Sequence, residues 1–547
     1  MQTAQFNGVF VCTSPLASRL RLEIIEPVTE APEHLDVLIV GAGISGIGCA
    51  YYLGKHHPQR SYAILEARER IGGTWDLFRY PGIRSDSDLH TFGFEFKPWR
   101  SEFAIADGAE ILDYIHEAAR ENAIDTRIRT GHRVTAASWD GEAARWTVTV
   151  ERVHDGELTQ LTCGWLFTGT GYYHYDHGHT PEFPGLAEFQ GRLVHPQQWP
   201  QDLDYAGKRV VVIGSGATAV TLIPAMAERT SHITMLQRSP SYVVSLPQRD
   251  ALANLANRLL GAERGYALTR RKNIALQTGF YRFCRRFPKL ARRLIRHLTA
   301  RQLPAGYPVD EHFRPRYDPW DQRLCVVPNG DLFRAIRQGR AEIVTDTIAT
   351  FTPNGIRLTS GRELEADIVI TATGLRLLPL GGIALSVDGG PVELPSTLAY
   401  KGMMLSGVPN FAFLVGYTNA SWTLKVGLVC EHFMRLLSHM DEAGYDTVTP
   451  TPDPHALRTT APLLDFSAGY VLRAVAEFPR QGAGAPWRVA MDPNVDRAVL
   501  REGPVEDPAL RFTRSSHRQQ QPVTAPPTDP VGQTVNGSRF DPAEAAA

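Results

Sequence analysis

The chain has 547 residues, with 57 Lys and Arg against 58 Asp and Glu and a formal net charge of −1. Its length predicts about three or four domain-sized units, and its balanced charge gives no global attraction to nucleic acid. No run of about 18 consecutive apolar residues predicts a spanning helix, and no basic stretch leading into an apolar core predicts a secretory signal.

Residues 1–34 show no clear periodicity and read as an N-terminal extension. Asp36-Val37-Leu38-Ile39-Val40 then reads as a buried parallel strand running into Gly41-Ala42-Gly43-Ile44-Ser45-Gly46. Strand, glycine turn and helix start form a dinucleotide fingerprint. The glycines let the backbone approach a pyrophosphate at the positive helix N-terminus. The next strand, Tyr62-Ala63-Ile64-Leu65-Glu66, ends in an acid. Glu66 is suited to accept hydrogen bonds from a free ribose diol, as FAD or NAD offers. Further short strands follow, among them Trp146-Thr147-Val148-Thr149-Val150. Leu166-Phe167-Thr168-Gly169-Thr170-Gly171 reads as a strand entering a crossover.

A second fingerprint lies in Gly214-Ser215-Gly216-Ala217-Thr218-Ala219, after Arg209-Val210-Val211-Val212-Ile213. Its following strand ends in Gln237-Arg238-Ser239, a cation beside a hydroxyl. That pair suits a 2′-phosphate and so NADPH. One fingerprint is a weak signal; two, each with a ribose-reading residue, predict two dinucleotides held face to face. The expected fold is α/β, with two Rossmann-like dinucleotide-binding domains, for FAD and NADP, and a helical insertion. The boundaries read as 35–169 plus 377–512 for the FAD domain and 170–376 for the NADP domain, which closes at Asp367–Gly374. Ser421 to Met440 reads as a helix of the returning FAD domain.

Residues 251–303 are rich in Arg and Lys with few acids, within an insertion of about 251–320. Phe283, Phe287, Leu290, Leu294 and Leu298 recur at helical spacing, interrupted at Pro288. A basic amphipathic helix can lie on a membrane surface. The preferred expectation is a helical subdomain with its apolar face in the core and its arginines in water. Residues 513–547, rich in Gln, Pro, Thr and Ala, read as a disordered tail. The six cysteines are scattered without a C-x-x-C pair, which fits a reducing cytoplasm and argues against a dithiol reductase. No His/Cys cluster has metal-ligand spacing, so no metal is expected.

Between the fingerprints, Phe189-Gln190-Gly191-Arg192-Leu193-Val194-His195-Pro196-Gln197-Gln198-Trp199-Pro200 matches the F-x-G-x-x-x-H-x-x-x-W-(P/D) signature of type I Baeyer–Villiger monooxygenases. Phe189, Gly191, His195 and Trp199 carry the match. The stretch Gly72-Gly73-Thr74-Trp75-Asp76-Leu77 through Arg84-Ser85-Asp86-Ser87-Asp88 resembles one branch of that family. The branch contains the ethionamide-activating and long-chain-alkane-linked flavin monooxygenases. Tyr317–Leu324 and Gly416–Thr423 belong to the same pattern. The resemblance runs from about residue 35 to 512. It fades at Met491-Asp492-Pro493-Asn494, where a Tyr-containing stretch is expected.

The resemblance implies an NADPH- and O2-dependent oxidation of apolar ketones to esters or lactones through a C4a-peroxyflavin, with sulfoxidation as a related activity. It implies Arg323 as the catalytic arginine and Asp86 as the carboxylate that positions it. A fixed guanidinium suits a developing oxyanion, because it stays charged and its fork can be held rigidly. The implied FAD contacts are Gly41, Gly43, Ser45, Gly46, Glu66, Thr74, Trp75, Asp76, Leu77, Asp86 and Val134. The implied NADP contacts are Arg84, Ser85, Gly214, Ser215, Gly216, Ala217, Thr218, Ala219, Arg238 and Ser239. Trp422 reads equally as a pocket or a core aromatic. Two other readings remain open: an N- or S-oxygenating or alkane-linked monooxygenase, and a non-oxygenating NADPH-dependent flavin reductase or redox sensor.

Overall fold

A computed structural model describes residues 32–515. The first apolar run forms β1 (His34–Val40), and the glycine turn leads into α1 (Ile44–His56) and then β2 (Tyr62–Leu65). Four strands follow: β3 (Ile128–Arg129), β4 (His132–Asp140), β5 (Arg145–Arg152) and β6 (Leu158–Thr168). A second unit then contributes β7 (Arg192–Val194), β8 (Arg209–Ile213), α2 (Ala217–Met226) and β9 (His232–Gln237). Three helices interrupt it: α3 (Ala251–Leu260), α4 (Ala262–Arg286) and α5 (Pro288–Ala300). It resumes with β10 (Ala341–Thr345) and β11 (Ile368–Thr371). The chain then returns through β12 (Ala384–Val387), β13 (Gly390–Pro391), β14 (Phe411–Phe413) and α6 (Thr423–Ala443).

The first sheet has the order β13-β12-β4-β5-β6-β1-β2-β3, with β14 pairing parallel to the end of β6. The second sheet, β10-β9-β8-β11-β7, is parallel throughout. Both inner strands are buried on two faces, which is why they read as unbroken apolar runs. Val37 and Ile39 join one core cluster while Leu38 and Val40 join another. Val210 and Val212 likewise face a different core from Val211 and Ile213. Helix α6 lies against α1 across Gly48, where an added Cβ would sit 2.4 Å from a Val426 methyl. This close approach ties the returning segment to the first glycine turn.

Several expectations shift. The expected helix over Ser421–Met440 runs from Thr423 to Ala443. The final strand extends through Thr513, which pairs with Thr447, so the expected tail begins later. The rest of that tail from 516, and residues 1–31 of the expected extension, lie outside the described residues.

The insertion brings the main correction. Pro288 starts α5 as a separate helix, where its missing N–H costs nothing. The inward face of α5 is Ala291, Ile295 and Thr299, one residue on from the expected leucine stripe. Phe287, Leu290, Leu294 and Leu298 are instead 41–54% exposed. A one-residue step rotates a helix by about 100°, so the apolar stripe is carried out of the core.

Candidate active site

Both glycine turns open at the carboxyl ends of their strands onto one shared cleft of about 1060 Å³. This is where parallel α/β sheets place ligands. Gly41 has φ +99°, and a Cβ there would lie 2.9 Å from the Gly169 carbonyl oxygen. Glu66 is buried directly behind this turn. Its Oε2 accepts from the Ala42 N–H at 2.8 Å and its Oε1 from the Arg68 N–H at 3.0 Å. Burial raises its carboxyl pKa, and those two backbone donors act in the opposite sense. Glu66 thus lines the cleft and also braces the turn. Ser45 Oγ accepts from the Trp422 indole N–H at 2.8 Å, leaving its own proton free to donate.

The second turn repeats the geometry. Gly214 has φ +137°, and a Cβ there would lie 2.3 Å from the Ala372 carbonyl oxygen. Ser215 Oγ donates to the Ser239 carbonyl at 3.0 Å and meets Ser241 Oγ at 2.9 Å, joining the turn to the end of β9. Arg238 and Ser239 line the cleft and are exposed, and Arg238 has no carboxylate partner among the described residues.

These turns fit dinucleotides on grounds internal to the chain. A Cβ on Gly216 would meet nothing within 4 Å, and one on Gly43 would come only to 3.7 Å from Gly73 Cα. The protein's own packing does not require glycine at either position, whereas a pyrophosphate lying on the backbone does. Arg84 Nη1 pairs with Asp331 at 2.7 Å, but its Nη2 is buried without a partner on the cleft wall, suited to an anionic group.

Arg323 and Asp86 meet as a two-pronged pair between the two turns. Arg323 Nε donates to Asp86 Oδ2 at 2.8 Å and Nη2 donates to Oδ1 at 2.5 Å. Nη2 also reaches Ser87 Oγ at 3.1 Å. Nη1 has a single long contact, 3.5 Å to the Thr418 carbonyl, and is the guanidinium nitrogen free to meet another oxygen. Burial opposes the charge, yet the Asp86 carboxylate outweighs it and holds the Arg323 pKa above its ordinary value. The Tyr317–Leu324 motif forms the turn that carries this arginine. The Asp318 N–H donates to Asp321 Oδ2 at 3.0 Å, and Trp320 is held at φ +73°, a strained conformation for a bulky side chain. Ser85 is used internally, its hydroxyl linking to the Ser87 N–H and carbonyl at 3.1 Å each and so shaping the loop that presents Asp86.

Of the remaining expected contacts, Thr74, Trp75, Val134, Ala217 and Thr218 line the cleft. Gly46, Asp76, Leu77 and Ala219 do not. Asp76 is buried and held by Arg68 at 2.7 Å, Arg70 at 3.0 Å and Arg79, which makes it a structural anchor beneath the cleft. Gly46 is needed for close packing, since a Cβ there would be 1.9 Å from the Gly41 oxygen.

Phe189, Gly191, His195 and Trp199 also lie off the cleft. His195 Nε2 contacts the Gly374 carbonyl at 3.3 Å, while its Nδ1 accepts from the Gln197 N–H at 3.2 Å. Gln197 Nε2 in turn donates to the His174 and Tyr175 carbonyls at 2.7 and 2.9 Å. The motif therefore clamps the two chain crossings, near 174 and 374, that connect the units. Burial lowers the His195 pKa, consistent with a neutral ring that donates at one nitrogen and accepts at the other.

The cleft also has an aromatic wall outside the expected contacts. Tyr172, Tyr173 and Tyr175 follow the Gly169–Gly171 turn directly and line the cleft. Tyr172 packs on Trp422 at 5.3 Å between ring centroids, and Trp422 both lines the cleft and packs against the two cores of the first unit. The density of tyrosines after a glycine turn was an available signal. Phe466, Ala468, Tyr470 and Arg473 close another side, with no local motif to mark them. Met491–Asn494, where the resemblance fades, lie off the cleft: the Met491 carbonyl accepts from Asn419 Nδ2 at 2.8 Å and Asp492 pairs with Arg282 at 2.6 Å. Burial pushes the phenols of Tyr172, Tyr173 and Tyr470 up, so they remain protonated donors.

Among the described residues, no group of three His, Cys, Asp or Glu could hold a metal, and no helix is long and apolar enough to cross a membrane. The five described cysteines are free and buried.

Residues 94–378 match the family described as flavin-binding monooxygenase-like, and residues 39–104 match an NAD(P)-binding Rossmann-like domain. The chain is 54% identical over 483 residues to the FAD-containing monooxygenase EthA of Mycobacterium tuberculosis, covering 88% of this chain and 98% of that one. It is 47% identical over 482 residues to the probable FAD-binding monooxygenase AlmA of an Acinetobacter species, covering 88% and 96%. Its fold is similar to an oxidized steroid monooxygenase solved with NADP, at TM-score 0.70 and 22% identity, covering 88% of this chain and all of that one. Two glycine turns facing one cleft, a clamped guanidinium between them and these similarities lead to one statement: the chain belongs to the flavin-binding monooxygenase-like family.

Proposed function

We propose that this flavin monooxygenase catalyses Baeyer–Villiger oxidation of small apolar ketones, with FAD and NADPH as its cofactors. The balance is ketone, O2, NADPH and a proton giving ester or lactone, water and NADP+. Reduced flavin, when bound, supplies the activated oxygen that is inserted beside the carbonyl. The first unit, with its returning segment, holds FAD on the turn of Gly41, Gly43 and Ser45, and Glu66 faces the ribose. The second holds NADPH on the turn of Gly214 and Gly216, with Arg238 and Ser239 at the 2′-phosphate and Arg84 at the anionic bridge.

The observation that carries the reading is the Arg323–Asp86 pair. Asp86 occupies Nε and Nη2, fixing the plane of the guanidinium and leaving Nη1 toward the cleft. A cation held this way stabilises negative charge developing on the carbonyl oxygen without reorganising at the moment of reaction. Tyr172, Trp422 and Tyr470 line the cleft with this pair, and with the cofactors and substrate in place they would shield it from water and so strengthen that interaction. A neutral hydride-transfer or sensing site has no need of such a clamped charge. The setting we infer is the cytoplasm, at a membrane surface where apolar substrates gather.

Product analysis after NADPH turnover with linear ketones, cyclic ketones and thioethers tests the reading. Esters or lactones are expected. Sulfoxides alone support the S-oxygenating alternative, and hydrogen peroxide alone supports the reductase.

A further inference from the structure

The helical insertion has a surface that the catalytic reading leaves unexplained. Ten of the seventeen large hydrophobic side chains exposed among the described residues fall between Leu252 and Leu298. They form stripes. Leu252, Leu255 and Leu259 share one face of α3, at 65%, 51% and 73% exposure. Leu290, Leu294 and Leu298 share one face of α5, with Phe287 just before it. Single exposed leucines are ordinary, but a run at helical spacing is a surface meant to be covered.

The charge around these stripes points to what covers them. Residues 251–303 hold thirteen Lys and Arg and one acid, Glu263. Five of the cations are paired with acids: Lys272 with Asp250, Arg282 with Asp492, Arg285 with Asp321, Arg292 with Asp318 and Arg296 with Asp310. Arg270 is buried against the carbonyls of His90, Thr91 and Gly93. Seven have no acidic partner among the described residues, including Arg286, Lys289 and Arg293, which are exposed beside the α5 stripe. On the helical wheel, α5 runs from the buried face of Ala291 and Ile295, through the leucine stripe, to this cationic flank.

We propose that α5 docks this protein on an anionic lipid bilayer, with Phe287, Leu290, Leu294 and Leu298 in the acyl boundary and the neighbouring free cations at the headgroups. Both halves of the surface are used only by that partner. A nucleic acid would satisfy the cations and leave the leucines in water. A second copy would cover the leucines but bring Arg286, Lys289 and Arg293 of each chain toward one another. The helices are held rigidly for docking, since Arg270 and the five ion pairs anchor them to the rest of the chain. The proposal stands without the catalytic reading, because binding is measured with no turnover.

The test is co-sedimentation of the FAD-loaded protein with vesicles of equal parts phosphatidylglycerol and phosphatidylcholine at low salt. Wild type should pellet with these vesicles, much less with pure phosphatidylcholine, and less as salt rises. A R286Q/K289Q/R293Q variant should partition about 100-fold more weakly, at about fivefold per surface cation. A L290S/L294S/L298S variant should lose at least about 10-fold. All three substituted leucines are exposed, so both variants should keep flavin content and NADPH oxidation in solution. Wild type left in the supernatant would overturn the proposal, as would pelleting by the leucine variant at wild-type strength. Salt-insensitive binding to neutral vesicles would also overturn it, and so would a dimer dissolved by the leucine variant with no vesicle binding.

Discussion

Replacing Arg323 with alanine separates the two halves of the proposed reaction. The arginine lies between the turns rather than on either, so both nucleotides should still bind and flavin should still be reduced by NADPH. Oxygen insertion should fail, because the cation that Asp86 holds between the turns is gone. Removing one preorganised oxyanion donor costs about 2.7–4 kcal/mol, or about 10²–10³ in rate. Ester formation should fall by at least about 100-fold. Stability should suffer less. The Arg323 and Asp86 side chains are 37% and 21% exposed through the cleft, between the limits of surface and buried pairs. An orphaned Asp86 should therefore cost about 1–2 kcal/mol. Removing Asp86 as well, in R323A/D86A, should recover that stability without recovering ester formation. R323K should rescue little, since an ammonium cannot occupy both Asp86 oxygens and still present a fixed third donor. The assay is stopped-flow flavin reduction beside ester yield per NADPH. An R323A enzyme that makes ester at near wild-type rate, or that fails to bind flavin, would refute the reasoning.

Other variants test the rest of the site. R238A should weaken NADPH about 10- to 100-fold and leave NADH nearly unchanged, from the loss of one charge-assisted hydrogen bond of about 1.5–3 kcal/mol; equal loss for both coenzymes would remove the 2′-phosphate assignment. G43A should melt close to flavin-free wild type, because the added Cβ meets protein only at 3.7 Å, yet purify with little of its flavin; stoichiometric flavin would place the FAD turn elsewhere. His195, with its pKa lowered by burial, binds fewer protons folded than unfolded. Its contribution to stability is therefore present above the ordinary histidine value of about 6.5 and is lost as pH falls toward the folded value. Urea unfolding of H195Q, whose amide has no such titration, should show a smaller loss between pH 7 and 5.5 than wild type; an identical pH profile would remove the His195 clamp from the account.

The parts of the site legible in the sequence are those fixed by backbone geometry. A strand, a positive-φ glycine and a helix start leave a local pattern, and both turns fall where Gly41 and Gly214 predict them. The Arg323–Asp86 pair spans 237 positions, and no spacing rule joins such residues; only the family resemblance did. The same resemblance named Asp76, whose place in the motif goes with anchoring by three arginines rather than contact with the cleft. The His195 motif was legible as a pattern but not as a clamp, because its partners at 174, 175 and 374 come from two other segments. Helix α5 shows the sharper limit. Periodicity states which residues share a face, and Leu290, Leu294 and Leu298 do; which face turns inward depends on the neighbouring elements, and Ala291, Ile295 and Thr299 won that place.

The central claim is insertion of one oxygen atom from O2 beside a carbonyl. Turnover of a linear ketone with NADPH under 18O2, read by mass spectrometry of the product, tests it most directly. The account predicts one ester per NADPH consumed in the coupled reaction, with a single 18O in the ester. NADPH consumption that yields only labelled hydrogen peroxide, or an ester without the label, would contradict it.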